Sequence, residues 1–158
     1  LNKLTEKRNN KVKDLLHKKS RQLVNKLKED RIKNLVIGYN KEWKNGINLG
    51  RKTNQTFVSI PYTRFIDMIK YKCTLEGINV IINEESYTSK CSALDLEPVK
   101  KQEVYLGRRI KRGLFKTSNG ILINSDINGA LNIGRKVFGD DYFNPANRGF
   151  VLNPVKIY

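Results

Sequence analysis

Two cysteines, one histidine and one tryptophan are all that 158 residues hold of those types, and each shortage closes off some chemistry. Cys73 and Cys91 form no Cys-x-x-Cys pair, and with His17 they cannot supply the four ligands of a structural zinc site without carboxylates. Thiols this sparse fit a reducing cytosol, so a cytoplasmic location is expected and the sequon Asn54-Gln55-Thr56 reads as a chance match. No apolar run approaches the roughly 20 residues of a membrane span, and no apolar region after the basic start reads as a signal peptide. The length suits one core-bearing domain and is short for two. The chain begins at Leu1 without Met and is read as a piece of a longer protein.

Acid is the other shortage. Against 31 Lys and Arg stand only 15 Asp and Glu, a formal charge of +16. Such an excess repels itself and adds nothing to fold stability, so it calls for a polyanionic partner. Nucleic acid is the leading one, because Lys and Arg that neutralise phosphates release counterions and give salt-sensitive affinity.

Residues 1–30 contain no Gly or Pro. Leu4, Val12, Leu15, Leu16, Leu23, Val24 and Leu27 recur at helical spacing, which predicts a long amphipathic helix. Through residue 33, twelve Lys and Arg face four Asp and Glu, so its solvated face is strongly positive. Ile32 to Ile37 reads as a short strand closing on Gly38. The polar stretch from Tyr39 to Gln55 places Trp43 among Lys41, Lys44, Arg51 and Lys52, where an aromatic can stack on a base or simply pack on the body. Ser59 and Pro61 are start signals for a helix with Phe65, Ile66, Ile69 and Cys73 on its apolar face, ended by Gly77. Ile78, Val80, Ile81 and Ile82 then read as a buried strand. Strand, helix, strand at this spacing predicts parallel pairing and a three-layer α/β core.

From 100 to 116 seven basic residues face one acid, Glu103, with Gly107 and Gly113 as breakers, which predicts a basic hairpin or ribbon inserted between core elements. Ile121-Leu122-Ile123 is a brief strand, and Asn124-Ser125-Asp126 caps a helix carrying Ile127, Ala130, Leu131, Ile133 and Val137. Beyond Gly139 little regular structure is expected.

Carboxylates at strand ends suit hard divalent cations, since open α/β sheets place chemistry beyond the carboxyl ends of their strands. Glu84 and Glu85 stand at such an end, although they fit a polar loop start equally well. Asp126 at a helix start fits either a ligand or an N-terminal cap.

The segments GYNKEWKNGINLGRKTNQTFVSIPYTRFIDMIKYKCTLEGINVIINEESYTSKCSALD and GRRIKRGLFKTSNGILINSDINGALNIGRKV together resemble the carboxyl-terminal half of the TnpB/OrfB family, transposon-encoded relatives of type V CRISPR effectors. The resemblance covers about residues 15 to 138. It implies an α/β chain with a partial RNase H-like (RuvC) fold, parallel strands flanked by helices, and an inserted basic ribbon. The implied divisions are residues 1–31, the long basic helix; 32–90, the strand-helix-strand core; 91–120, the ribbon; 121–138, the final core strand and helix; and 139–158, the irregular tail. The implied activity is RNA-guided DNA cleavage with Mg²⁺ or Mn²⁺, with DNA and a guide RNA as partners and no membrane. Catalytic and metal-binding roles carry over to Glu85, in Glu-x-Tyr-Thr-Ser-Lys, and to Asp126, in Asp-x-Asn-Gly-Ala-Leu-Asn-Ile, with Glu84 as the fallback. Lys44, Arg51, Lys52, Lys90, Arg108, Arg109, Lys111 and Arg112 are the expected nucleic-acid contacts.

Three departures from the family pattern qualify this. The family's first catalytic Asp lies upstream of Leu1. Many members carry the middle Glu on the strand that here ends Val36-Ile37-Gly38, so Glu85 would be a relocated ligand. Many also fold the ribbon around zinc through two Cys-x-x-Cys pairs, of which this chain keeps only Cys91; a ribbon without structural zinc is expected. The competing reading is a non-cleaving nucleic-acid-binding remnant or guided repressor with an incomplete nuclease site.

Overall fold

A computed structural model describes residues 2–40 and 61–141. Trp43, Lys44, Arg51, Lys52, Ser59 and the tail beyond Asp141 lie outside the described residues. Those described fall into two compact units, 2–35 with 61–81 and 36–40 with 82–141.

The first unit is built on two helices. Uninterrupted by Gly or Pro, α1 runs through Asn2–Glu29, and α2 occupies Tyr62–Leu75. Val24 and Ser20 of α1 are buried, as are Met68, Ile69, Lys72 and Cys73 of α2 and Ile78 beyond it. The amphipathic reading of α1 fails at two of its named positions. Leu4 and Leu15, expected on the apolar face, are 73% and 53% exposed. Helix α2 follows Pro61, as its start signal implies, and closes in a Schellman motif. Gly77 N–H donates to the Thr74 carbonyl (3.1 Å) and Ile78 N–H to that of Cys73 (2.8 Å), with Gly77 at φ +69.

Lys72 is the unexpected member of this interface. Its ammonium donates to Ser20 Oγ (2.6 Å) and to the His17 carbonyl (2.7 Å), and burial, reinforced by the charge of Arg21, pushes its pKa down. Just beyond α2, Glu76 accepts from Lys28 (2.7 Å) and Arg21 (3.2 Å) of α1. The Lys28 hydrogen bond is the main reason that its carboxyl titrates below the usual range. A depressed carboxylate contributes stability above its unfolded pKa and loses it as pH falls through the folded value. Thermal melts followed by circular dichroism should therefore show stability falling on acidification through the carboxylate range, with a shallower fall in Glu76→Gln.

Strands β1 (Asn34–Gly38) and β2 (Asn79–Asn83) pair with each other. Asn79 N–H reaches the Lys33 carbonyl (2.9 Å) and Tyr39 N–H the Asn83 carbonyl (2.8 Å), a register that advances the same way along both strands and is therefore parallel, as expected. The buried strand read at 78–82 needs correction. Val80 and Ile81 are only half-buried and Ile82 is 38% exposed, because among the described residues the pair has no third strand.

In the second unit, residues 84–107 contain neither helix nor strand. A three-stranded antiparallel sheet follows, β3 (Arg108–Lys111), β4 (Leu114–Lys116) and β5 (Leu122–Asn124), and then α3 (Ser125–Phe138). Its core is Leu94, Phe115 and Ile123, with Ile121, Ile127 and Leu131 packed against them. The expected basic hairpin is β3–β4, turning at Arg112-Gly113 between the paired Lys111 and Leu114. Strand β5, expected as the final core strand, pairs with β4. A short connection tied by Thr117 N–H to the Ile121 carbonyl (3.0 Å) favours antiparallel neighbours. The described strands thus divide between two sheets where a single three-layer core was expected.

Candidate metal and nucleic-acid site

The candidate carboxylates all belong to the second unit, and local structure treats them differently. Glu84 is occupied: it accepts from Ser86 N–H (2.8 Å), from the Ser86 hydroxyl, and from the Lys136 ammonium (3.0 Å). The Ser86 hydroxyl, followed by Lys136, holds its carboxyl below the usual range. Glu85 engages its neighbours through its main chain only. Its carbonyl accepts from Thr88 Oγ (2.8 Å) and Thr88 N–H (3.3 Å), while its half-buried side-chain carboxylate makes no hydrogen bond or ion pair among the described residues.

Asp126 is relieved of the capping role that alone would explain an acid there. The cap is Asn124, whose Oδ1 accepts from Asp126 N–H (2.8 Å) and Ile127 N–H (3.3 Å). The exposed Asp126 carboxylate has no hydrogen-bond or ion-pair partner among the described residues. It shares a face of α3 with Ile133, seven positions on and so about 10 Å along the axis.

Ile133 marks where Glu85 points. A Cβ built on Gly38 would lie 2.5 Å from Ile133 Cδ1 and 3.1 Å from Glu85 Oε2. The space into which a side chain at position 38 would project is therefore filled by α3 and by the Glu85 carboxylate. Gly38→Ala should lower stability by about 1–3 kcal/mol through overpacking. Ile133→Val, which deletes the clashing Cδ1, should recover part of that loss in the double variant, as read by urea denaturation. Among the described residues no three His, Cys, Asp or Glu converge, so Glu85 and Asp126 offer carboxylate oxygens without a third such ligand.

What sequence reasoning missed is the buried face of α3. The apolar positions named for it, Ile127, Leu131, Ile133 and Val137, are half-buried and Ala130 is exposed; the residues fully buried are Ser125, Asn128, Asn132 and Arg135. Asn128 accepts from Ala93 N–H (2.9 Å) and donates to the Cys91 carbonyl (2.9 Å). Asn132 donates to the carbonyls of Cys91 (2.7 Å) and Thr88 (2.9 Å). Arg135 donates to Asn132 Oδ1 (2.7 Å), the Glu97 carbonyl (3.0 Å) and Asp140 (2.6 Å). Buried Glu97 takes Ser92 N–H (2.6 Å) and Leu106 N–H (2.9 Å). A segment without helix or strand must place its backbone groups somewhere, and these side chains receive them. The signal was present: Asn128, Asn132 and Arg135 stand at i, i+4 and i+7. Cys91 is buried inside this network, its Sγ 3.5 Å from the carbonyls of Pro98 and Lys100, and burial pushes the thiol pKa up.

Of the expected nucleic-acid contacts that are described, Arg108, Arg109, Lys111 and Arg112 lie on one hairpin, all exposed. Lys90 is also exposed, its ammonium 6.0 Å from the Tyr105 ring centroid. None of the five forms an ion pair among the described residues. Among those residues, too, no helix is long and apolar enough to cross a membrane.

No curated protein matches the chain. Residues 62–133, from the start of α2 to the Ile133 that borders Glu85, match the family described as Cas12f1-like, TNB domain. That match supports a relationship to TnpB- and Cas12-like proteins, and with it a nuclease-associated role involving nucleic acid.

Proposed function

We propose that the chain is the RuvC portion of a transposon-encoded, RNA-guided DNA endonuclease that hydrolyses phosphodiesters with Mg²⁺ or Mn²⁺. The observation that carries this reading is that, among the described residues, both candidate carboxylates are free of local structural work: Asn124 caps α3 in place of Asp126, and Ser86 and Lys136 engage Glu84 in place of Glu85. Uncommitted carboxylate oxygens are the donors that hard divalent cations take, so Glu85 and Asp126 would hold the metal. A bound ion polarises a phosphoryl oxygen and stabilises the charge that develops there.

The rest falls to the chain's own groups. Lys90, Arg108, Arg109, Lys111 and Arg112, with Lys44, Arg51 and Lys52, would bind and orient the phosphates of DNA and guide RNA. The network through Asn128, Asn132 and Arg135 holds the segment that follows Glu85. In this reading the ribbon is held by that network and by the Phe115 core, without zinc, and the protein works in the cytoplasm.

The test is cleavage of target DNA by the full-length gene product loaded with its guide RNA, with Mg²⁺ and with EDTA. Cutting that requires Mg²⁺ supports the proposal. Salt-sensitive binding without cutting would overturn it in favour of a nucleic-acid-binding module with no nuclease activity.

A further inference from the structure

Beside the β3–β4 hairpin, within the second unit, is a cavity of about 320 Å³ lined by Tyr105, Leu106, Gly107, Arg108, Lys116, Thr117 and Ser118. That volume is at the lower end of small-ligand sites. Its chemistry is uneven. Arg108 and Lys116 are directly opposed across β3 and β4, where like charges destabilise a strand pair. Among the described residues neither forms an ion pair. An anion between them would turn that repulsion into attraction. The lining of the cavity includes an aromatic residue, Tyr105, and the Lys90 ammonium stands 6.0 Å from its ring centroid.

Nearby acids stiffen the walls. Asp95 accepts from Ser118 N–H (2.9 Å) and the Ser118 hydroxyl (2.7 Å), and Glu97 accepts from Leu106 N–H (2.9 Å). Two lining residues, Leu106 and Ser118, are therefore tied to the body before any ligand arrives, which lowers the ordering cost of binding.

A planar aromatic beside paired cations matches a nucleotide with its base free. We propose that this cavity seats one unpaired nucleotide of a single strand, its base stacked on Tyr105 and its phosphate between Arg108 and Lys116. The inference rests on the nucleic-acid reading above and narrows it from phosphate contact in general to single-strand recognition. A duplex presents phosphates but no free base face, so it would use the cations without the ring.

The experiment is fluorescence anisotropy on the full chain with labelled oligo-dT, oligo-rU and a duplex of the same length. Tyr105→Leu should weaken single-strand binding on the order of ten-fold or more, leave duplex binding unchanged, and be rescued by Tyr105→Phe. Whichever of dT or rU loses more affinity identifies the strand that is seated. The double variant Arg108→Ala/Lys116→Ala should flatten the dependence of log affinity on log salt by about 0.7 for one lost single-strand phosphate, and it provides the readout should the Tyr105→Leu chain fail to fold. Equal losses on single strand and duplex in Tyr105→Leu, or an unchanged salt slope in the double variant, would overturn this inference while leaving general nucleic-acid binding intact. Absence of binding to all three probes by the unsubstituted chain would overturn both.

Discussion

Asp126→Asn and Glu85→Gln are each expected to lower Mg²⁺-dependent cleavage by the guide-loaded, full-length gene product by on the order of 10³-fold, since a metal clamp on phosphoryl charge is worth several kcal/mol. Stability should barely move. Neither side-chain carboxylate has a hydrogen-bond or ion-pair partner among the described residues, so unfolding free energy should shift by about 1 kcal/mol or less, the larger part being the loss of an acid from the first turn of α3. Binding of guide and target should also persist, because removing a carboxylate from a strongly basic chain does not weaken phosphate attraction. The informative control is Glu84→Gln. That carboxylate holds Ser86 and Lys136, so its loss should loosen the turn after β2 yet leave cleavage within about ten-fold. Single-turnover rates on a labelled target would distinguish the three. Full activity in Asp126→Asn would remove the catalytic assignment, and a loss in Glu84→Gln matching that of Glu85→Gln would move the ligand one residue upstream.

The features legible in the sequence were those governed by local chemistry. An uninterrupted stretch of Lys, Leu and Glu gave α1, Pro61 and Gly77 bracketed α2, and Asn124 marked the start of α3. The parallel pairing of β1 with β2 followed from connection length alone. Placement on one side or the other of a surface was harder to read, because it depends on partners remote in sequence. Leu15 has the spacing of a core residue and is 53% exposed, while Lys72 looks like a surface residue and is 3% exposed, because Ser20 Oγ and the His17 carbonyl happen to face its ammonium. Glu84 and Glu85 are adjacent and chemically equivalent until Lys136, on a helix more than fifty positions later, takes one and Gly38 leaves room for the other. No periodicity in a single sequence encodes such a choice.

The polar face of α3 leads to the second large effect, this time on stability. Asn132→Leu keeps the branched outline of the side chain, though not its volume, and leaves the Thr88 carbonyl without its amide donor and Arg135 Nη1 without the Asn132 oxygen, while the Cys91 carbonyl keeps only Asn128. Buried polar groups left unsatisfied cost about 1–3 kcal/mol each, so a loss of about 2–4 kcal/mol is expected by urea denaturation. Ile127→Val, on the face that hydrophobic patterning would single out, should cost only about 0.5–1.5 kcal/mol. A reversed order would mean that apolar contact, and not the amide network, holds the 88–97 segment. Activity adds a further discrimination. Thr88, held through its carbonyl by Asn132, also donates to the Glu85 carbonyl, so loosening it should disturb Glu85 without touching its carboxylate. Asn132→Leu is therefore expected to lose stability and cleavage together, and to regain much of the cleavage on cooling or with a stabilising osmolyte. Asp126→Asn should lose cleavage alone and regain none under the same conditions, which separates a residue that holds the site in place from one that would bind its metal.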